Sequence, residues 1–238
     1  MPKLLRTLLR KTAHRKDGNL ISLDDPYQII PQLLSQTSVT GILDIGASDG
    51  RISRRLLKLF PQAHSWGFEP NVKFNDQLDL LQTEPNSRFT PVQAALSDTA
   101  GNATLHLAQN PGQTSLFRPT EERLSESPMV GELPVKAFRL DDWWEEKNKP
   151  EIQLLKLDIQ GGEAAALRGG QKLLRSTARL VYTEVFFNPL YRDAAVFSDI
   201  DQALRQAGFL LYNIYKIGTL SPDRLRHANV IYTRDLPL

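Results

Sequence analysis

Short apolar runs that close on an acid, each followed by a helical stripe, recur along this chain. The first is Val39–Asp44, followed by Ile45, Gly46, Ala47, Ser48, Asp49 and Gly50. Ile52, Leu56, Leu57 and Phe60 then fall at helical spacing from Arg51, and Pro61 ends the pattern. That order predicts a buried strand, a tight turn and a helix N-terminus. His64–Pro70 repeats the strand signal with Glu69 at its tip, and Asn71–Leu81 reads as the next helix. Phe89–Leu96 reads as a third strand with Ala94, Ala95 and Leu96 at its end. Ile152–Asp158 is the clearest later signal, with Gly161, Gly162 and Glu163 leading into one helix to about Arg175. Leu180–Phe187 is a strand holding Glu184, and Val196–Ala207 is an amphipathic helix stopped by Gly208. Phe209–Tyr215 and Asn229–Thr233 read as a terminal antiparallel pair. Upstream, Asp25-Pro26 is a helix start for Tyr27–Ser35.

The middle of the chain has a weaker pattern. Thr104–Leu107 alternates after Ala100-Gly101-Asn102, which predicts a hairpin. Residues 109–133 are rich in Pro, Gly, Ser and Thr and are expected to be a structureless lid or substrate loop. Val135–Leu140 suggests an edge strand and Asp141–Lys147 a short helix, with Trp143 and Trp144 as packing residues. Strands alternating with helices predict one α/β domain over residues 19–238, with no internal repeat.

Glu69 lies 25 positions after Asp44, one strand–helix–strand unit further on. A right-handed parallel crossover sets two such acids side by side at the carboxyl ends of the strands, where nucleoside ligands bind. A glycine turn lets a ligand approach bare backbone, and the helix start offers free N–H groups to anionic atoms. Glu69 suits a pair of ribose hydroxyls, with capping of the next helix as its plainer alternative. Asp44 suits a cation or a hydroxyl donor.

Charge adds one feature. Lys3, Arg6, Arg10, Lys11, Arg15 and Lys16 stand among Leu4, Leu5, Leu8 and Leu9 with no acid between them. Residues 1–18 therefore form a basic amphipathic extension, suited to an anionic membrane surface or a partner, or simply to packing on its own domain. Taking those six cations and Asp17 from the chain totals of 29 and 27 leaves 23 basic and 26 acidic residues. A mildly acidic body argues against nucleic acid as the partner. The chain of 238 residues has no cysteine, so disulfides and thiolate metal sites are excluded. No apolar run reaches the roughly 20 residues of a membrane span. The expected location is cytoplasmic, with peripheral contact at the inner membrane face through residues 1–18.

Four blocks, in order, resemble the FkbM family of S-adenosylmethionine-dependent methyltransferases. They are Leu43–Ala47 with Gly50, Phe68–Asn71, Leu154–Glu163, and Tyr182–Phe187 with Pro189-Leu190-Tyr191. The resemblance implies a Rossmann-like class I methyltransferase fold: a seven-stranded, mostly parallel sheet with one antiparallel strand and helices on both faces. It implies S-adenosyl-L-methionine as cofactor and O-methylation of a sugar, glycan or natural-product hydroxyl. Its expected contacts are Asp44, Gly46, Ala47, Ser48, Asp49, Gly50, Glu69, Pro70, Asn71, Ala95, Leu96 and Asp158. The family's turn often reads Gly-Ala-Asn-hydrophobic-Gly, and here Ser48 and Asp49 take the middle places.

Methyl transfer to a hydroxyl needs a proton acceptor, because a neutral alcohol is a poor nucleophile. None of His14, His64, His106 and His227 falls at the end of a central strand, which leaves the carboxylates. Asp158 is expected to accept the proton or orient the substrate, with cofactor contact or helix capping as alternatives. Glu184 needs a partner in its apolar strand: Lys156, the substrate or a metal shared with Asp158. No spacing demands a metal, and none is assigned. Lys156 is expected to pair with an acid, and Glu163 to act at the site or cap its helix. Thr114, Ser115 and Leu116, with Phe186, Phe187, Asn188 and Tyr191, are candidates for the acceptor walls. Two other readings stand beside this one. One is a nicotinamide-dependent oxidoreductase, although the turn lacks G-x-G-x-x-G spacing. The other is a non-catalytic, membrane-associated assembly protein.

Overall fold

The computed structural model describes residues 25–221 and 224–234. The basic segment 1–18, with its expected helix and surface contact, lies outside them. The chain first forms helix α1 (Pro26–Leu33), with Asp25 Oδ1 accepting from Tyr27 N at 3.2 Å. Strand β1 (Gly41–Ile45) is buried throughout and leads to α2 (Arg51–Leu59). Then come β2 (His64–Phe68), a 3₁₀ turn over Val72–Phe74, α3 (Asn75–Thr83) and β3 (Phe89–Val92).

The expected third strand is in fact two. Ala94 N donates to Val92 O at 2.8 Å, which turns the chain out of the sheet before β4 (Ala95–Ser97). That strand belongs to a second sheet with β5 (Gly101–Ala108) and β6 (Met129–Arg139), in the order β4-β6-β5. Two further expectations change here. Residues 109–133 are not structureless: they hold a 3₁₀ turn at Pro111–Gln113, helix α4 (Glu121–Glu126) and the start of β6. The strand expected at an edge is central, paired through its backbone with β4 and β5, and its polar, mostly exposed side chains hide that pairing from the sequence pattern.

The chain continues through α5 (Leu140–Glu146) to β7 (Leu154–Leu157). The helix expected from Glu163 to Arg175 breaks into α6 (Glu163–Arg168) and α7 (Gln171–Ser176). A Cβ on Gly169, at the break, would lie 2.3 Å from the Ser97 carbonyl oxygen, so glycine there lets the second sheet pack close. Last come β8 (Leu180–Phe186), α8 (Phe197–Gln206), β9 (Leu210–Ser221) and β10 (Arg224–Thr233).

The main sheet has seven strands in the order β3-β2-β1-β7-β8-β10-β9. β10 runs antiparallel to both its neighbours, and the other observed pairings are parallel. The strand order reverses between β1 and β7, the crevice where such sheets bind ligands. Alternate β1 side chains feed two cores. Ile42 packs with Tyr27, Ile30 and Leu56 on one face, while Leu43 and Ile45 pack with Trp143 and Leu167 on the other. Asp44 shares the Ile42 face, opposite Lys156 in register.

Candidate functional site

The site begins at the turn after β1. Gly46 has φ +82°, and its N–H and that of Ala47 both donate to the Phe68 carbonyl at 2.9 Å. A Cβ on Gly46 would lie 2.1 Å from the Asp158 carbonyl oxygen, so the turn is pressed directly against the loop leaving β7. Glu69 joins the turn to the end of β2: Oε2 accepts from Ser48 N and Oε1 from Asn71 N, both at 2.8 Å. Burial pushes the Glu69 carboxyl above its ordinary range, and those backbone donors pull it back only in part. Asn71 in turn caps the 3₁₀ turn through Lys73 N at 3.1 Å.

These elements wall a cavity of about 550 Å³, within the size range of small-molecule sites. Gly46, Ala47, Ser48 and Asp49 form one side with Glu69 and Pro70, and Ala95 and Leu96 form another. Thr114, Ser115 and Leu116 reach over from the segment between β5 and α4, and Lys156 and Asp158 complete the wall. Asp44, Gly50, Asn71, Glu163 and Glu184 are not on it.

Asp44 lies beneath the turn, fully buried. Its Oδ2 accepts from Ser53 Oγ at 2.7 Å, and its Oδ1 lies 3.2 Å from Lys156 Nζ. The hydroxyl donor and cation that suit this acid are therefore supplied by the chain. Lys156 Nζ also donates to the Gly46 carbonyl at 2.9 Å, so the ion pair holds the turn from below. Burial alone would push the Lys156 ammonium down, but the Asp44 charge, helped by Asp158, more than reverses this.

Three carboxylates surround the loop after β7. Asp158 is exposed on the cavity side, and its Oδ1 accepts from Gln160 Nε2 at 3.0 Å. Glu184 Oε2 accepts from the same nitrogen at 2.8 Å. Burial raises the Glu184 carboxyl, and the charges of Asp158 and Glu163 raise it further. Glu163 is buried and fastens the loop, accepting from Ile159 N at 2.8 Å and Gly161 N at 2.9 Å. Among the described residues no three His, Cys, Asp or Glu side chains gather as a metal-binding group. An amide donor stands between Asp158 and Glu184, where a shared cation would sit.

Residues 44–211 match the Methyltransferase FkbM domain family. The chain belongs to this family. It is 33% identical over 188 residues to the 2-O-methyltransferase NoeI of Sinorhizobium fredii, covering 75% of this chain and 71% of that protein. It is 26% identical over 193 residues to the methyltransferase sdnD of Sordaria araneosa, covering 71% and 73%. The solved FkbM methyltransferase of Methylobacillus flagellatus KT superposes with a TM-score of 0.53 at 16% identity, over 82% of this chain and 44% of that one. This chain thus spans less than half of that solved relative. A precorrin-6y C5,15-methyltransferase of Geobacter metallireducens shares the fold at 12% identity and a TM-score of 0.50, over 92% of each chain.

In this FkbM chain the unusual acid of the turn is neutralised locally. Asp49 Oδ1 accepts from Arg51 N at 3.2 Å and Oδ2 pairs with Arg51 Nε at 2.7 Å, so it caps α2. Among the expected acceptor walls, Phe186 and Tyr191 are buried in a small cluster with Leu190, off the cavity. Phe187 stacks against Phe197, and Asn188 Nδ2 donates to the Leu225 carbonyl at 2.9 Å. His64, His106 and His227 do not line the cavity, and His14 lies outside the described residues. Trp143 is packed in the core against Trp66 and Phe68. Gln160 falls within the Leu154–Glu163 block and Arg123 within a charged stretch, but the pattern assigns neither a role. A buried arginine inside a polar segment looks like any surface cation until its partners are in place.

Glu163 leads to a pH prediction. Burial lifts its carboxyl from 4.5 to about 7, against the backbone N–H groups that favour the anion. Between those values the folded state holds a proton that the unfolded chain has released, so rising pH removes stability and the loss ends above about 7. Wild type should therefore lose Tm relative to Glu163→Gln as pH rises through that window. Melting curves across the window check this, and parallel curves would refute it.

Proposed function

We propose that the chain is an S-adenosylmethionine-dependent O-methyltransferase acting on a hydroxyl of a sugar, glycan or natural-product acceptor. The observation that carries this reading is Asp158: an exposed carboxylate on the cavity wall, beside a bare-backbone turn stapled by Glu69. Family membership and the likeness to a relative named as a 2-O-methyltransferase support the reaction class.

The residues present fit the cofactor. A carboxylate offers about four lone-pair directions, and the two backbone bonds leave Glu69 capacity for a pair of ribose hydroxyls. At the start of α2 Asp49 already takes Arg51 N, so the N–H groups left for an anionic tail are those later in the first turn. Ala94 and Ala95 present little bulk beside the cavity, with Leu96 an apolar neighbour, and suit a flat base. Bound S-adenosylmethionine would supply a methyl group made electrophilic by its sulfonium. Asp158 would accept the hydroxyl proton on Oδ2 as the hydroxyl oxygen bonds to the methyl carbon and the methyl–sulfur bond breaks, leaving S-adenosylhomocysteine; its Oδ1 is engaged by Gln160. Thr114, Ser115 and Leu116 close over the acceptor side and orient it, an effect worth several kcal/mol.

Calorimetric titration with S-adenosylhomocysteine tests the cofactor site. Glu69→Ala should weaken binding at least about tenfold, since one charge-assisted hydrogen bond is worth about 1.5–3 kcal/mol. S-adenosylhomocysteine should also raise the wild-type Tm where NAD does not. Equal affinity in the two proteins would reject the assignment.

A further inference from the structure

Gln160 sits in the loop between β7 and α6 with φ +56° and is buried. Its side-chain amide joins four groups from separate parts of the chain. Nε2 donates to Asp158 Oδ1 at 3.0 Å and Glu184 Oε2 at 2.8 Å. Oε1 accepts from Arg123 Nη2 at 2.8 Å and lies 2.9 Å from Tyr191 Oη. The amide can face only this way. Reversed, it would set its NH₂ against a guanidinium and its oxygen against two carboxylates.

Arg123 comes from α4, which follows the cavity-lining residues Thr114, Ser115 and Leu116 in the same segment of the chain, and is buried. Its Nε donates to Tyr191 Oη at 3.1 Å and its Nη1 to Glu126 Oε2 at 3.2 Å. The same segment is tied to the backbone of Gln160, whose carbonyl accepts from Ser115 Oγ at 2.7 Å. A cation at one end of the amide and two carboxylates at the other polarise it in the same sense, so each bond strengthens the next. Without that donor nothing would tie Asp158 to Glu184, whose carboxyl the Asp158 charge already raises.

We propose that Gln160 is a positioning residue that aims the Asp158 carboxylate into the cavity and couples that aim to the seating of segment 111–126. The inference rests on the reading of Asp158 as proton acceptor. Arg123 supplies the signal that the segment is seated, and Gln160 passes it to the carboxylate.

Wild type, Gln160→Met, Arg123→Met and Asp158→Asn are compared as full chains. Three quantities are measured: S-adenosylhomocysteine affinity, amide hydrogen exchange over residues 111–126, and methyl transfer from labelled S-adenosylmethionine to a panel of methyl glycosides. Gln160→Met keeps the bulk of the side chain and loses all four polar contacts. It should lower kcat at least about tenfold, keep the S-adenosylmethionine KM within about threefold, and speed exchange in the segment. Arg123→Met should speed exchange similarly with a smaller loss in kcat. Wild-type exchange in Gln160→Met, or wild-type kcat in Gln160→Met alongside a disabled Asp158→Asn, overturns the positioning role alone. Wild-type turnover in Asp158→Asn overturns the reading beneath it.

Discussion

Asp158→Asn is expected to slow methyl transfer by about 10²–10⁴-fold, the usual contribution of a positioned proton acceptor. The variant should bind S-adenosylhomocysteine as wild type does. Asparagine keeps the shape of the side chain, and its amide oxygen can still accept from Gln160 Nε2, the present partner of Asp158 Oδ1. Its NH₂ then takes the place of Oδ2 facing the cavity and cannot receive a proton. Because Asp158 is exposed, the exchange should leave Tm within about 1 °C, in keeping with the small cost of most surface changes. Calorimetry and transfer from labelled S-adenosylmethionine to methyl glycosides separate the alternatives. A carboxylate that only contacted the cofactor would lose affinity and turnover together. Glu184→Gln is the matched control, since Glu184 meets the same amide from off the cavity wall.

The main sheet was legible because its strands are buried runs ending in marked turns. β1 and β7 have no exposed position, and their sequences are close to uninterrupted apolar segments. The second sheet was not legible. β6 buries few of its side chains, so its pattern resembles a loop, and its pairing is carried by backbone groups that composition does not show. The break between α6 and α7 is written as Gly169-Gly170, yet its cause is tertiary. Ser97 crowds Gly169, Leu140 crowds Gly170, and the Asp141 carboxylate accepts from Lys172 N and Leu173 N at the start of α7. In the site, periodicity located Glu69, Asp158 and the turn, because strand ends fix where such residues point. It could not tell which acids face the cavity. The apolar runs before Asp44 and Asp158 carry the same local signature. Asp44, however, lies inside β1 in register with Gly67 and Lys156, two positions short of Glu69 and Asp158 rather than beside them at the strand ends. Ser53 and Lys156 engage it while Asp158 stays open. That difference arises from side chains 9 and 112 positions away from Asp44 in the chain.

The largest expected effect on stability is at Lys156. Lys156→Met removes the cation beside Asp44, a carboxylate with no solvent exposure, and leaves it only the Ser53 hydroxyl. Breaking one side of a buried pair typically costs about 3–5 kcal/mol, because the remaining charge is uncompensated. For a chain of this size that is a fall in Tm of roughly 6–20 °C. Adding Asp44→Asn removes the stranded charge, so the double variant should regain most of the loss. Binding should not recover with it. The Gly46 carbonyl, which accepts from Lys156 Nζ at 2.9 Å, has lost its donor in both variants, and the turn it belongs to forms the cavity wall. Thermal melts of both single variants and the double variant, paired with S-adenosylhomocysteine titrations, distinguish two roles for the ion pair. If it serves stability alone, affinity returns with Tm in the double variant. If it supports the turn from below, Tm returns and affinity stays low.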